Sequence, residues 1–242
     1  MERRSFLRNT LLAGPFGLAG ISPLALRTHR IGPTTVVNAG RGGDNTVDLL
    51  ARLEADCLRH RPDLTILMVG TNDMNSRKYV PLPDYAGNLD AIVSAIAGTG
   101  SAVLLLTILP VYEPYLFTRH PRDFYAPEGH AARKEQVNHA IREVAAKREQ
   151  YLLDMHHIFA RVGQIGTTAE SLIRNEANSG QTDGIHPTAA GYRMMATALY
   201  AYIVGRNLPR SRVVCFGDSI TAGSGGTAGN SYPAYLKDLL NA

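Results

Sequence analysis

Five short apolar runs recur along this chain, each separated from the next by a stretch long enough to form a helix. They are Thr34-Thr35-Val36-Val37, residues 64–69, 102–109 and 151–154, and Val213-Val214-Cys215-Phe216. These runs are apolar or β-branched and bounded by turn residues, which reads as strands. An unbroken apolar run, rather than an alternating one, suits a strand covered on both faces. Between the runs the period changes to that of helices. Val47, Leu50, Leu53 and Leu58 share one side of the first spacer, and Leu89, Ile92, Val93 and Ile96 share a face of a helix spanning 84 to about 97. A charged amphipathic helix is expected from about 131 to 147, another from about 189 to 204, and a last one near 235–240. A helical turn is expected near Ser171-Leu172-Ile173, and 110–129 reads as a long irregular segment carrying five aromatic residues that walls a pocket or packs on itself. Strands alternating with helices predict an α/β fold built on a parallel sheet. The chain has 242 residues, with 45% hydrophobic and 19% charged, enough for one large domain or two small ones. The linker 205–211 is too short to suggest cutting off the final strand.

The net charge of +4 is mild, and much of the excess precedes the first strand, at Arg3, Arg4, Arg8, Arg27 and Arg30. No basic stripe with interleaved aromatics is present, so nucleic acid is not an expected partner. Two cysteines, Cys57 and Cys215, exclude a disulfide scaffold and read as buried free thiols. The segment 1–30 has the form of an export signal: Arg3-Arg4-Ser5-Phe6-Leu7-Arg8 fits the twin-arginine pattern, and a mildly apolar stretch follows. Gly14, Pro15 and Gly17 interrupt that stretch, which is too short for a stable membrane span. Export to the periplasm or beyond is the expectation, with 31–242 as the folded domain and no clean cleavage site before it; a retained N-terminal helix on a cytoplasmic protein is the alternative. Oligomeric state is not legible.

Ligands of open parallel sheets bind beyond the carboxyl ends of the strands. The residues just past each run therefore carry the most weight. After the last run comes Gly217-Asp218-Ser219. A serine there is a nucleophile if a base and an oxyanion site face it, and otherwise a helix cap. Asp183 and His186 stand three apart in a turn, which lets the carboxylate reach Nδ1 and leave Nε2 free as a base; the other reading is a turn aspartate beside a surface histidine. Gly43, in a glycine-rich loop where backbone comes close to something, and Asn72 end two further strands. A glycine N–H and an amide are suitable oxyanion donors, and both are also ordinary turn residues. Gly-x-Ser-x-Gly is absent. The stretch 223–229 lacks the Gly-Lys-Ser/Thr ending of a phosphate loop and reads as a flexible rim. His156 and His157 are adjacent, with no carboxylate cluster around them, so no metal is expected.

Taken together, Gly217-Asp218-Ser219-Ile220, the glycine block 38–46, Gly70-Thr71-Asn72-Asp73 and Asp183-Gly184-Ile185-His186-Pro187 resemble the four blocks of the SGNH hydrolase superfamily, also called GDSL esterases and lipases. The resemblance covers 34 to about 240. It departs in one respect: the family's serine block comes first, and here it comes last, as a circular permutation would produce.

The resemblance implies a three-layer, flavodoxin-like sandwich with a five-stranded parallel sheet. In the strand order 2-1-3-4-5, the Val213 run takes the central place, flanked by the Thr34 and Leu64 runs. It further implies a carboxylic ester hydrolase with Ser219 as nucleophile, His186 as base and Asp183 as its partner. The oxyanion donors are the N–H groups of Ser219 and Gly43 and the amide of Asn72. No cofactor is implied, and the substrate is a small-molecule or carbohydrate ester, with O-acetyl, short-chain aryl and lysophospholipid esters all open. A non-catalytic binding module on the same fold is the competing reading.

Overall fold

The computed structural model describes residues 32–223 and 230–242. The leader-like segment 1–30 and the glycine-rich rim 224–229 lie outside the described residues. In chain order the elements are β1 (Thr35–Gly40), α1 (Thr46–Asp56), β2 (Leu64–Met68), α2 (Leu82–Gly98), β3 (Ala102–Leu106), α3 (Glu113–Leu116), α4 (His130–Lys147), β4 (Tyr151–Leu153), α5 (Met155–Val162), α6 (Glu176–Ser179), α7 (Ala189–Gly205), β5 (Arg212–Gly217), α8 (Ser219–Ala222) and α9 (Tyr232–Leu240). The five strands form one sheet in the order β1-β5-β2-β3-β4, with every neighbouring pair parallel. The last strand in the chain therefore lies between the first two. Renumbered from β5, the order reads 2-1-3-4-5.

Each central strand faces two cores, because successive side chains point to opposite sides of a sheet. In β5, Val214 and Phe216 join Leu49 of α1, Leu89 and Ile92 of α2 and Ile141 of α4 on one face. Val213 and Cys215 join Met155 and Phe159 of α5, Tyr192 and Leu199 of α7 and Leu236 of α9 on the other. All these side chains are buried. Both faces being apolar explains why the runs show no alternation in sequence. Cys57 and Cys215 are buried free thiols.

Four local expectations need correction. Val47 is 53% exposed, because α1 turns Thr46, Leu49, Arg52 and Leu53 to the core instead. The helical turn near 171–173 is absent: Ile173 forms an antiparallel bridge with Pro187, and the turn comes later, as α6. Asn178 explains the displacement, since its Nδ2 takes the carbonyls of Ser171 and Ile173, at 3.0 and 3.1 Å, that a helix would have used. Helix α5 was not foreseen. Asp154 caps it, accepting from the N–H of His157 at 2.9 Å. The segment 110–129 is not irregular throughout, for it holds α3 and a 3-10 turn, Arg122–Tyr125.

The two ends of the described domain meet. The N–H of Thr34, just before β1, donates to Oδ1 of Asn241, just after α9, at 2.8 Å, and Asn241 Nδ2 donates back to the Thr34 carbonyl at 3.1 Å.

Candidate active site

Strands β1, β5 and β2 end at one level, with Gly40 and Met68 both in register with Gly217. The chain turns sharply there. Asp218 caps α8, its Oδ1 accepting from the N–H of Ile220 at 2.9 Å, and Ser219 is the first helical residue. Two glycines make room for the turn. A Cβ on Gly217 would stand 2.3 Å from the Met68 carbonyl oxygen, and one on Gly40 would stand 2.1 Å from the backbone nitrogen of Ala222. The close approach expected of the glycine-rich loop thus occurs at Gly40. Gly43 instead has φ +81°, the left-handed region that glycine enters without steric cost, and a Cβ there would meet open space.

The loop before α7 brings in the histidine. Gly184, at φ +72°, lets it fold back, and Asp183 Oδ1 accepts from the N–H groups of Ile185 and His186 at 2.9 and 3.0 Å. The same carboxylate lies 2.9–3.0 Å from His186 Nδ1. A carboxylate can only accept, so Nδ1 carries the ring proton in the neutral imidazole and Nε2 holds the lone pair. Nε2 stands 3.0 Å from Ser219 Oγ. Burial alone would raise the Asp183 pKa. The hydrogen bonds and charge of His186, with the two backbone donors, outweigh it and hold the group at about 2. Arg174 adds a guanidinium 3.5 Å from Oδ2, and Arg119 donates to the Asp183 carbonyl.

Gly43, Asn72, His186 and Ser219 line one cleft of about 460 Å³. Asn72 Nδ2 donates to the Asp44 carbonyl at 2.8 Å, which ties it to the glycine loop and leaves its second amide hydrogen. Among the described residues the N–H groups of Gly43 and Ser219 have no acceptor. Arg119 and His120 of the aromatic segment line the cleft as well, while Leu116 and Tyr125 from that segment are buried in the core.

Sequence reasoning missed Arg52. This buried arginine of α1 donates from Nε to Asp44 Oδ2 at 2.6 Å, from Nη1 to the Ala39 carbonyl at 2.8 Å and from Nη2 to the Gly217 carbonyl at 2.8 Å. It also stacks over Phe216, 4.6 Å from the ring centre. One guanidinium therefore joins the ends of β1 and β5 to the glycine loop. The available signal was a charge between Leu49 and Leu53, on the apolar side of a helix. Two buried carboxylates also lie behind the turn. Desolvation raises Asp73, which accepts from Thr46 N and Oγ1, to about 6 and raises Asp218 to about 7. Among the described residues no group of three or more His, Cys, Asp or Glu is placed to hold a metal ion.

Comparison with known proteins adds a family to this geometry. Residues 14–194 match the GDSL-like Lipase/Acylhydrolase family. The match includes Gly43, Asn72, Asp183 and His186 and stops short of Ser219. The chain is 28% identical over 184 residues to the uncharacterised lipoprotein YqeF of Bacillus subtilis, covering 70% of this chain and 74% of that one. It is 25% identical over 185 residues to an acetylxylan esterase of Geobacillus stearothermophilus, covering 73% and 75%. Among solved structures, a lipase/acylhydrolase from Enterococcus faecalis superposes with a TM-score of 0.53 at 20% identity, covering 69% of this chain and 74% of that one. An acetyl xylan esterase superposes with a TM-score of 0.54 at 22% identity, covering 68% and 79%. At those identities the superpositions carry the fold.

Proposed function

Since the chain belongs to the GDSL-like lipase/acylhydrolase family and is a carboxylic ester hydrolase, we propose that Ser219, His186 and Asp183 carry its reaction, and that it removes short acyl groups, acetyl above all. The observation behind this reading is the 3.0 Å separation of His186 Nε2 and Ser219 Oγ, with Nδ1 held by Asp183. Ser219 Oγ attacks the ester carbonyl while Nε2 takes its proton. The imidazolium that forms is stabilised by the Asp183 carboxylate. The carbonyl oxygen becomes an oxyanion, for which the free N–H groups of Ser219 and Gly43 and the spare amide hydrogen of Asn72 are the donors. Collapse expels the alcohol, which receives the proton from Nε2, and leaves an acyl-serine. Water then repeats the sequence, with Nε2 taking its proton and Ser219 Oγ departing as the acid is released.

The likeness to an acetylxylan esterase favours acetyl groups on carbohydrate as the substrate class. Ile185 is the one aliphatic residue that lines the cleft among the described residues. The order of the blocks is best read as a circular permutation, supported by the contact of Thr34 with Asn241 and by a family match that ends before Ser219. Export is supported by the twin-arginine-like sequence and by the likeness to a lipoprotein. No helix among the described residues is long and apolar enough to cross a membrane.

The test is covalent. A fluorophosphonate probe is expected to label the wild type at Ser219, and Ser219→Ala is expected to lose both the label and turnover of p-nitrophenyl acetate by about 10⁵–10⁶-fold. Retained turnover in a folded Ser219→Ala protein refutes the assignment of Ser219 as nucleophile; a wild type with neither label nor turnover points to the binding module instead.

A further inference from the structure

Three cationic side chains, Arg77, Lys78 and Arg119, line the cleft at Ser219 beside His120 and His186, and among the described residues no aspartate or glutamate does. Nearby carboxylates are only partly available as counter-ions. Asp48 holds Lys78, at 2.8 Å from its Nζ. Asp183 is engaged by His186 and Arg174, and its Oδ1 is 3.9 Å from Arg119 Nη2. Arg77 has no carboxylate within ion-pair distance among the described residues, and its side chain is exposed. Arg119 keeps a buried Nε without a hydrogen-bond partner. His120 is 8% exposed and bonds Ser76 Oγ through Nδ1 at 2.8 Å. Burial, together with the charges of Arg77, Arg119 and His130, lowers its pKa, so it enters the cleft as a neutral polar group.

Like charges gathered in a concave site attract and concentrate anions, and a bound anion relieves their mutual repulsion. Guanidinium groups are suited to the task because their planar fork matches carboxylate, phosphate and sulfate oxygens. The cleft volume falls within the range of small-molecule sites. A long acyl tail would find one aliphatic residue, Ile185, and otherwise the carbon stems of polar side chains, whereas a negatively charged group would find the guanidinium groups of Arg77 and Arg119.

We propose that the preferred substrate is an ester bearing an anionic group, carboxylate or phosphate, close to the scissile bond, with Arg77 as the specificity-determining residue and Arg119 as its neighbour. The inference rests on the hydrolase reading above and adds the charge of the substrate to it.

Three acetyl esters of matched size separate the possibilities: acetylated glucose, acetylated glucuronic acid and acetylated glucose phosphate. The wild type is expected to show a kcat/KM at least about tenfold higher for one or both charged esters than for the neutral one. Arg77→Gln is expected to cut that ratio about five- to tenfold, the scale of one partly exposed charge contact. Added salt is expected to lower the ratio in the wild type more steeply than in the variant. The two charged arms distinguish a uronic acid from a phosphorylated sugar. Equal kcat/KM on all three esters, or a ratio indifferent to Arg77→Gln, overturns this inference alone. Failure to cleave any of them, together with failure of fluorophosphonate to label Ser219, overturns the hydrolase reading and this inference with it.

Discussion

Thr34 and Asn241 stand 207 positions apart in the chain and are joined by two hydrogen bonds, at 2.8 and 3.1 Å. Strand β1 and helix α9 thus begin and end the folded domain at one place. Closing a short gap between neighbouring ends costs little loop entropy, and exposed connections tolerate new ends. A rearranged chain that links residue 242 to residue 32 and opens within 207–211 is therefore expected to fold with unchanged secondary structure and to keep ester turnover. It would present the serine block first. Circular dichroism and p-nitrophenyl acetate hydrolysis check this; a rearranged chain that folds but has no turnover counts against the permutation reading.

Asn72 contributes one amide hydrogen to the Asp44 carbonyl and leaves another in the cleft. Loss of one oxyanion donor typically costs 10²–10³ in kcat. If Asn72 is the oxyanion donor proposed above, Asn72→Ala is expected to lower kcat by about 10²-fold with little change in KM, because such a donor acts in the transition state. Steady-state kinetics on a variant with a near-native Tm decides it. A fall in kcat of less than about threefold would remove Asn72 from the oxyanion site.

Gly40 lies where a Cβ would be 2.1 Å from the Ala222 nitrogen and 2.6 Å from the Thr221 carbonyl carbon. Both atoms are backbone of α8, which carries Ser219 at its first position. Gly40→Ala must move that turn or the end of β1. Overpacking of this kind costs about 1–3 kcal/mol, and a shift of about 1 Å at Ser219, the proposed nucleophile, can cost about 10²-fold in rate. Both a lower Tm and a lower kcat are expected. Gly87→Ala, in α2, is the matched control, since its Cβ would meet open space. Equal behaviour of the two variants in Tm and kcat would show that Gly40 has no special part in seating the turn.

Asp218 and Asp73 set a pH dependence. Burial raises them to about 7 and about 6, against about 3.9 in an unfolded chain. The folded protein keeps these protons over a window in which the unfolded chain has already released them. Their contribution to stability is complete below about pH 4 and is lost as pH rises through 6 and 7. Asp183 acts in the opposite sense, with stability present above about pH 4 and lost as pH falls toward 2. Asp218→Asn keeps an acceptor for the Ile220 N–H and removes one ionisation. Its Tm is expected to fall less than that of the wild type between about pH 5 and pH 8. Parallel Tm profiles for the two proteins would contradict the raised pKa.

Much of this molecule is written locally. Apolar runs doubly covered by helices made all five strands readable, and three-residue spacing around Gly184 made the contact between Asp183 and His186 readable, because neighbours in a turn need no tertiary help to meet. The turn near 171–173 misled because Asn178 takes the carbonyls of Ser171 and Ile173, a choice between side-chain and backbone donors that residue types do not reveal. Arg52 went unnoticed for a related reason. A lone charge among leucines has meaning only once the Ala39 and Gly217 carbonyls are seen to converge on it.

The sequence by itself determined the alternation of strand and helix, the turn that pairs Asp183 with His186, and the motif resemblance that implied β5 between β1 and β2. Only the tertiary structure decided that β5 lies there as coordinates, that His186 Nε2 stands within 3.0 Å of Ser219 Oγ, and that basic side chains from two separate loops share one cleft with them. Those are distances between residues remote in the chain. They follow from sheet register and packing on both faces of β5, which no local pattern of residues encodes.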